Sequence, residues 1–318
     1  NGYPNKLLLT TGACTMANYS DSRAGKRGEF NHTLGMLVVE LDGDIFHVRQ
    51  IQCSEDGSFY DLDKYISKMG VNKSNYEYPA IVFGDLHLTE ESKEAVEASF
   101  EMATWSRAKE IIVHDIFSGV SISHHESKDP VIQAKRELDG TNNLANELQY
   151  MYDWFNDRKE FNFVSIMSNH PLWLDRWVSS NDWRKNLNRS LYLQLASIAV
   201  SGEAPKGLVP YLLDKHTTNV KSLGYNDSYR VCDFELALHY DLGANGSRGS
   251  MMQFKNLNTK SIGGHGHTPQ RELGALMVGT LTKLRLGYNK GLSGWLHSNV
   301  LIFPNGKATH INIIKGKY

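Results

Sequence analysis

Apolar and polar positions change rhythm near residue 79. Up to that point the spacing has period two: residues 7–11, 36–41 and 45–52 read as strands, and Asp42-Gly43 between the last two marks a hairpin. Residues 70–78 are polar and read as a linker. Beyond them, short apolar runs alternate with helical periodicity, the signature of an α/β layered fold. Residues 80–83, 110–114 and 163–167 predict strands, and residues 90–109, 142–158 and 172–199 predict helices, with Trp173, Trp177 and Trp183 as packing groups. Residues 234–239, 260–263, 275–279, 300–303 and 308–314 return to strands, the last two closing a hairpin around Pro304-Asn-Gly-Lys. Residues 203–229 carry no assignable pattern. The expected organisation is a strand-rich N-terminal lobe, residues 1–78, followed by an α/β domain, residues 79–318.

Composition narrows the classes. A chain of 318 residues with 41% hydrophobic and 22% charged residues builds a globular core and excludes disorder, collagen-like repeats and a coiled coil. Lys and Arg number 34 against 35 Asp and Glu, a formal charge of -1, so no overall field draws the chain to nucleic acid or membrane. A polyanion would have to be held by a local patch or a metal. No apolar run of about 18 residues exists and the start lacks a secretory layout, which together predict a cytoplasmic protein with no membrane partner. Cys14, Cys53 and Cys232 are odd in number and far apart, fit neither a disulfide framework nor a zinc pair, and read as small buried hydrophobes.

Chemistry concentrates where the predicted strands end. Asp85 and His87 follow the first strand of the α/β region, Asp115 the second, and Asn169 and His170 the third; His239 and the pair His265 and His267 come later, beside Gly263, Gly264 and Gly266. The C-terminal edge of the strands is where open α/β sheets place ligands. In extended backbone alternate side chains share a face, so Asp85 and His87, or His265 and His267, are expected to point into one space. Mixed carboxylate, imidazole and amide donors suit manganese, iron or zinc better than magnesium or calcium. Two such cations roughly 3.5–4 Å apart would stabilise both the attacking and leaving oxygens of a displacement at phosphorus.

The ordered set Gly84-Asp-Leu-His87, His114-Asp115, Ser168-Asn-His-Pro171, His239 and Gly264-His-Gly-His267 resembles the calcineurin-like metallophosphoesterase superfamily across residues 80–270. The resemblance implies a two-sheet sandwich flanked by helices. It implies that Asp85, His87 and His267 hold one cation, that Asn169, His239 and His265 hold the other, and that Asp115 bridges them. His170 would protonate the leaving oxygen or bind phosphate while a hydroxide shared by the metals attacks. Two positions depart from the pattern: His114 replaces a glycine, and Pro171 replaces the acid after His170, a loss that Asp175 is expected to make good from the next turn. Val113-His-Asp-Ile-Phe, His124-His125, Asp175-Arg-Trp177, Asn245-Gly-Ser-Arg-Gly249, Gly264-His-Gly-His-Thr-Pro269 and Trp295-Leu-His-Ser298 are further similar to the pre-early DNA-degrading (first-step-transfer) proteins of large tailed phages. That likeness implies a DNase with manganese as the first-choice ion, working in the host cytoplasm.

The basic residues placed to follow a DNA backbone are Arg176, Arg184, Lys185 and Arg189, Arg248 in the Gly-rich loop, and Arg23, Lys26 and Arg27. Arg248 is the one expected at the scissile group. The Gly243–Gly249 loop lacks P-loop spacing and does not open a helix. His216 competes with His239 as the lone histidine, and His124 and His125 are candidates for substrate contact. Two other functions fit the same residues: a phosphomonoesterase or protein phosphatase, and a non-catalytic DNA-binding scaffold. Self-association into a homo-oligomer stays open.

Overall fold

The computed structural model describes residues 7–123, 126, 129–182, 184, 187–243, 246–287, 289 and 291–318. His124, His125, Trp183, Lys185 and Asn245 therefore lie outside the described residues.

The N-terminal part is not all strand. Residues 7–11 join no strand ladder among the described residues, and Leu8 is 92% exposed. A helix, α1 (Arg23–Asn31), follows because the Ser22 hydroxyl accepts the Gly25 N–H at 3.0 Å and caps its first turn. The hairpin β1 (Gly35–Asp42) and β2 (Ile45–Gln52) forms as expected, with Gly43 at φ 59° in a two-residue turn. A meander of β3 (Phe59–Asp61), β4 (Lys64–Ser67) and β5 (Gly70–Lys73) comes next. The polar character of residues 70–73 marks an exposed edge strand rather than a linker.

The α/β part runs β6 (Ala80–Val82), α2 (Lys93–Ser106), β7 (Ile111–Val113), α3 (Pro130–Leu138), α4 (Leu144–Asn156), β8 (Phe163–Ser165), α5 (Pro171–Ser180), α6 (Arg189–Ser201), α7 (Leu208–His216) and β9 (Val220–Ser222). It continues through β10 (Arg230–Val231), β11 (Phe234–Glu235), α8 (Met251–Phe254), β12 (Lys260–Gly263), β13 (Gln270–Glu272), β14 (Ala275–Met277), β15 (His297–Ile302) and β16 (Ala308–Ile313). Residues 203–229, unassigned from sequence, thus supply a helix and an edge strand. The expected long helix over 172–199 breaks into α5 and α6 around Asn181, where the helix C-cap turns extended.

Two sheets result. One has the order β16-β15-β6-β7-β8-β9, with β6 to β9 parallel; the other has β10-β11-β12-β14-β13, with β11, β12 and β14 parallel. Alternation along each strand gives the first sheet two apolar faces. Val82, Ile112, Val164 and Ile302 meet Phe234, Ile262 and Leu276 of the second sheet, while Ile81, Phe83, Ile111 and Phe163 pack under α2, α4, α5 and α7. Met251 and Phe254 of α8 cover part of the outer face of the second sheet. The N-terminal elements join the same body: Tyr60 stacks on Phe303, Tyr78 packs tilted against it, and the Gln52 amide donates to the Ala308 carbonyl.

The cysteines differ from expectation. Cys14 and Cys232 are exposed and Cys53 half-buried, all three free; Cys232 sits at φ 53° in the tight β10–β11 turn. No helix among the described residues is long and apolar enough to cross a membrane.

Candidate metal centre

The C-terminal ends of β6, β7 and β8 lead into Asp85, Asp115 and Asn169, and those of β11 and β12 into His239 and His265. All five loops meet where the two sheets adjoin. The approach is close because glycine lines it: a Cβ on Gly264 would lie 2.1 Å from Asp85 Oδ1 and 3.1 Å from His239 Nδ1, and one on Gly84 would lie 2.8 Å from the Thr280 backbone. Asp85 is fixed by its own backbone, whose carbonyl accepts the Leu281 N–H at 2.8 Å and the Thr280 hydroxyl at 3.0 Å. Beneath it Asn299, fully buried, accepts the Gly84 N–H at 3.0 Å and donates to Ser99 at 2.7 Å.

The ligand pairs do not converge by strand alternation. His87 (φ 42°), Asp115 (φ 45°), His265 (φ 80°) and His267 (φ 55°) all adopt left-handed backbone, a conformation unfavourable for residues with a Cβ. Each loop bends sharply at the candidate ligand, which corrects the extended geometry expected for Asp85-x-His87 and His265-x-His267. Such outliers gather where function outweighs local strain.

The donor atoms of Asp85, His87, Asp115 and His267 all lie within 4.8 Å of one another, a geometry that suits a metal ion. His87 Nε2 is 3.1 Å from His267 Nε2 and 3.4 Å from Asp115 Oδ2; His267 Nε2 is 3.2 Å from Asp85 Oδ2. His239 Nε2 stands 3.1 Å from the same Asp115 oxygen, and its ring centre is 5.3 Å from that of His265. Asn169 lines the same cleft of about 620 Å³, together with His170 and Arg248. The seven predicted ligands therefore come together, four as a tight buried set and three beside it.

Electrostatics fit a cation. Asp85 and Asp115 are essentially inaccessible, and among the described residues no Lys or Arg pairs with either. Burial alone would raise both carboxyls, yet His239 and neighbouring imidazoles hold Asp85 below its ordinary value and Asp115 well below it. Burial would lower His239, but the two carboxylates outweigh it and lift it to about 9. Buried Asp85 Oδ1, Asp115 Oδ1, Asn169 Oδ1 and His239 Nε2 have no hydrogen-bond partner, a concentration of orphaned donors and acceptors that metal ligation would satisfy.

Two positions that depart from the sequence pattern find structural roles. His114, fully buried and pushed down to about 4 by burial, sets its Nδ1 3.3 Å from His239 Nδ1 and so fixes that ring from behind, as metal-bound histidines require. His170 Nδ1 lies 2.9 Å from the Ser118 carbonyl. A carbonyl only accepts, so the proton is on Nδ1 and Nε2 is left as the acceptor. Burial holds His170 below its ordinary value, despite the opposing pull of Asp115.

Asp175 is a correction. It does not reach His170: its Oδ1 accepts the Leu208 N–H at 3.0 Å and caps α7, whose own cap residue, Gly207, has no side chain to do so. Five residues past His170 on α5, it points away from the cleft by helical geometry. His216 is remote from the centre and stacks on Tyr152 with ring centres 4.4 Å apart. Trp173, half-buried, packs at the cleft wall, stacked on His170 at 4.1 Å, and Trp295 faces His267 at 4.2 Å. Ser118 and Arg136 were not singled out from sequence; Arg136 enters the cleft from α3 and pairs with Glu126. Of the other basic candidates, Lys26 pairs with Asp21 at 2.8 Å and Arg27 donates to Asn256 at 3.1 Å, while Arg176 is exposed.

The chain is similar to a phage protein. It is 29% identical over 337 residues to Protein A1 of Escherichia phage T5, an alignment covering 98% of this chain and 60% of that protein. The chain thus spans 60% of the length of this relative. No family model matches the chain, and no solved structure matches it.

Proposed function

We propose that the chain is a metal-dependent phosphodiesterase that cuts DNA, built on a metallophosphoesterase-type sandwich with two divalent cations, manganese first among them. The observation that carries this reading is the convergence of Asp85, His87, Asp115 and His267 into one buried set beside Asn169, His239 and His265, with unpartnered buried oxygen and nitrogen atoms among them. The phage relative and the likeness to phage DNA-degrading proteins support DNA as the substrate.

When bound, the cations supply Lewis acidity that brings a water's pKa toward neutrality and offsets charge at phosphorus. Asp85, His87 and His267 would hold one, Asn169, His239 and His265 the other, with Asp115 shared. His114 holds the His239 ring in register. His170, fixed by Ser118, presents Nε2 to the cleft. A phosphate beside that imidazole favours its protonated form, which can then give a proton to the leaving oxygen. Arg248, exposed at the rim, adds positive charge for the substrate backbone.

The test uses metal-stripped protein, linear DNA and a small aryl phosphate. Manganese is expected to restore DNA cleavage, and elemental analysis to find bound cation in the parent but not in Asp115→Ala. Aryl phosphate turnover without DNA cleavage would replace this reading with a phosphomonoesterase. No cation uptake at all would remove the enzyme reading.

A further inference from the structure

A second groove, about 740 Å³, opens on the other side of the loop that carries His267. Thr268, Gly294 and Leu296 line this groove, while His267 and Trp295 line the metal cleft. Its floor holds Arg271 of β13. The guanidinium donates to Gln52 Oε1 at 3.1 Å, the Ala308 carbonyl at 3.3 Å and Gln50 Oε1 at 3.4 Å, all neutral acceptors.

Among the described residues no carboxylate comes within ion-pair distance of Arg271. The adjacent Glu272 pairs instead with Lys255 at 3.5 Å. Burial with no opposing acid lowers Arg271 to about 10, still cationic near neutrality. An enclosed guanidinium without a counter-charge is costly unless something supplies one. The surroundings are pre-set: the Gln50 amide donates to the Thr10 carbonyl at 2.9 Å and that of Gln52 to the Ala308 carbonyl, turning both Oε1 atoms toward Arg271. Arg has five donors, and these three contacts leave N–H groups for a ligand.

We propose that Arg271 is the base of a second binding site, distinct from the metal centre, that takes a phosphate- or carboxylate-bearing ligand in this groove. The planar fork suits two oxygens of either group, and the apolar side formed by Leu7 and Leu9 suits a ligand with an uncharged body.

The test uses the full chain stripped of metal and dialysed free of chelator. Inorganic phosphate, acetate and thymidine 5′-monophosphate are added at constant ionic strength against a chloride control. Hydrogen exchange is read over residues 48–52 and 268–273, and affinity is compared among the parent, Arg271→Gln and Arg271→Lys. Protection is expected in both segments, with affinity falling roughly tenfold or more in Arg271→Gln and less in Arg271→Lys. Protection by acetate alone identifies a carboxylate ligand; protection by phosphate, or more strongly by the nucleotide, identifies a phosphate ester. Should Arg271→Gln fail to fold, the parent's exchange pattern and Arg271→Lys decide. Absence of protection with all three anions, or unchanged affinity in a folded Arg271→Gln, overturns the proposal.

Discussion

Replacing Gly264 with alanine tests the centre through one methyl group. Its Cβ would fall 2.1 Å from Asp85 Oδ1, and 3.1 Å from both Asp85 Cγ and His239 Nδ1. Carbon prefers non-bonded neighbours at about 3.5 Å, so relief requires a shift of more than about 1 Å in either the loop or the carboxylate. Neither moves freely: Asp85 Oδ2 accepts the His265 N–H at 2.7 Å and faces His267 Nε2 at 3.2 Å, so displacement disturbs ligands from both sheets together. Overpacking of this kind costs about 1–3 kcal/mol, and a 1 Å misplacement at a reacting centre costs about 100-fold in rate. Gly264→Ala is therefore expected to fold, melt somewhat lower, bind manganese about 10–100-fold more weakly by calorimetry, and lose hydrolysis to match. Gly287→Ala is the control, because it borders the same cleft and its Cβ meets nothing within 4 Å. Manganese affinity in Gly264→Ala equal to the parent would refute the reasoning.

Asp115→Ala should abolish cation uptake while leaving DNA retention in a gel-shift assay, since the exposed Arg248 is untouched; uptake at the parental level would show that Asp115 is not a ligand. Asp175→Ala removes the cap of α7 and should lower stability by about 1 kcal/mol in urea melts with hydrolysis unchanged at a permissive temperature, whereas a fall in rate alone would restore it as the partner of His170. Asn299→Ala strands the Gly84 N–H, while the Ser99 hydroxyl loses the amide it accepts but keeps its own bond to the Ala95 carbonyl, and should cost about 1–3 kcal/mol, read as a lowered urea midpoint. His310, lowered to about 4 by burial and then by Arg271, stays neutral in the fold while the unfolded chain takes up a proton near its ordinary 6.5. Stability is thus fully present above that value and is lost as pH falls toward the folded value, by at most about 3 kcal/mol because the ring keeps a partly open edge. His310→Gln should flatten the acid side of the pH–melting curve, and an unchanged slope would count against it.

The candidate centre was largely legible because its residues sit directly after apolar runs, and an apolar run followed by Asp, Asn or His announces a strand that ends at a polar edge. What periodicity misjudged was local backbone. Left-handed turns at His87, Asp115, His265 and His267 leave no mark in residue type, so extended alternation was expected where sharp bends occur. Asp175 misled for another reason: proximity along the chain suggested His170, while the vacancy at the start of α7, created by Gly207, lies 33 residues away. The Ser118 carbonyl is a backbone group, and no side-chain pattern predicts which carbonyl a histidine will face. In the N-terminal part, α1 went unseen because its faces are polar, although Ser22 was a readable start signal.

The loops of the centre belong to different layers: Asp85, Asp115 and Asn169 extend from one sheet, His239, His265 and His267 from the other. A cation gripped by both halves would act as a rivet through the sandwich, tying residues far apart in sequence as a crosslink does. Loss of metal should then be felt first as easier parting of the two layers, well before any single strand unravels.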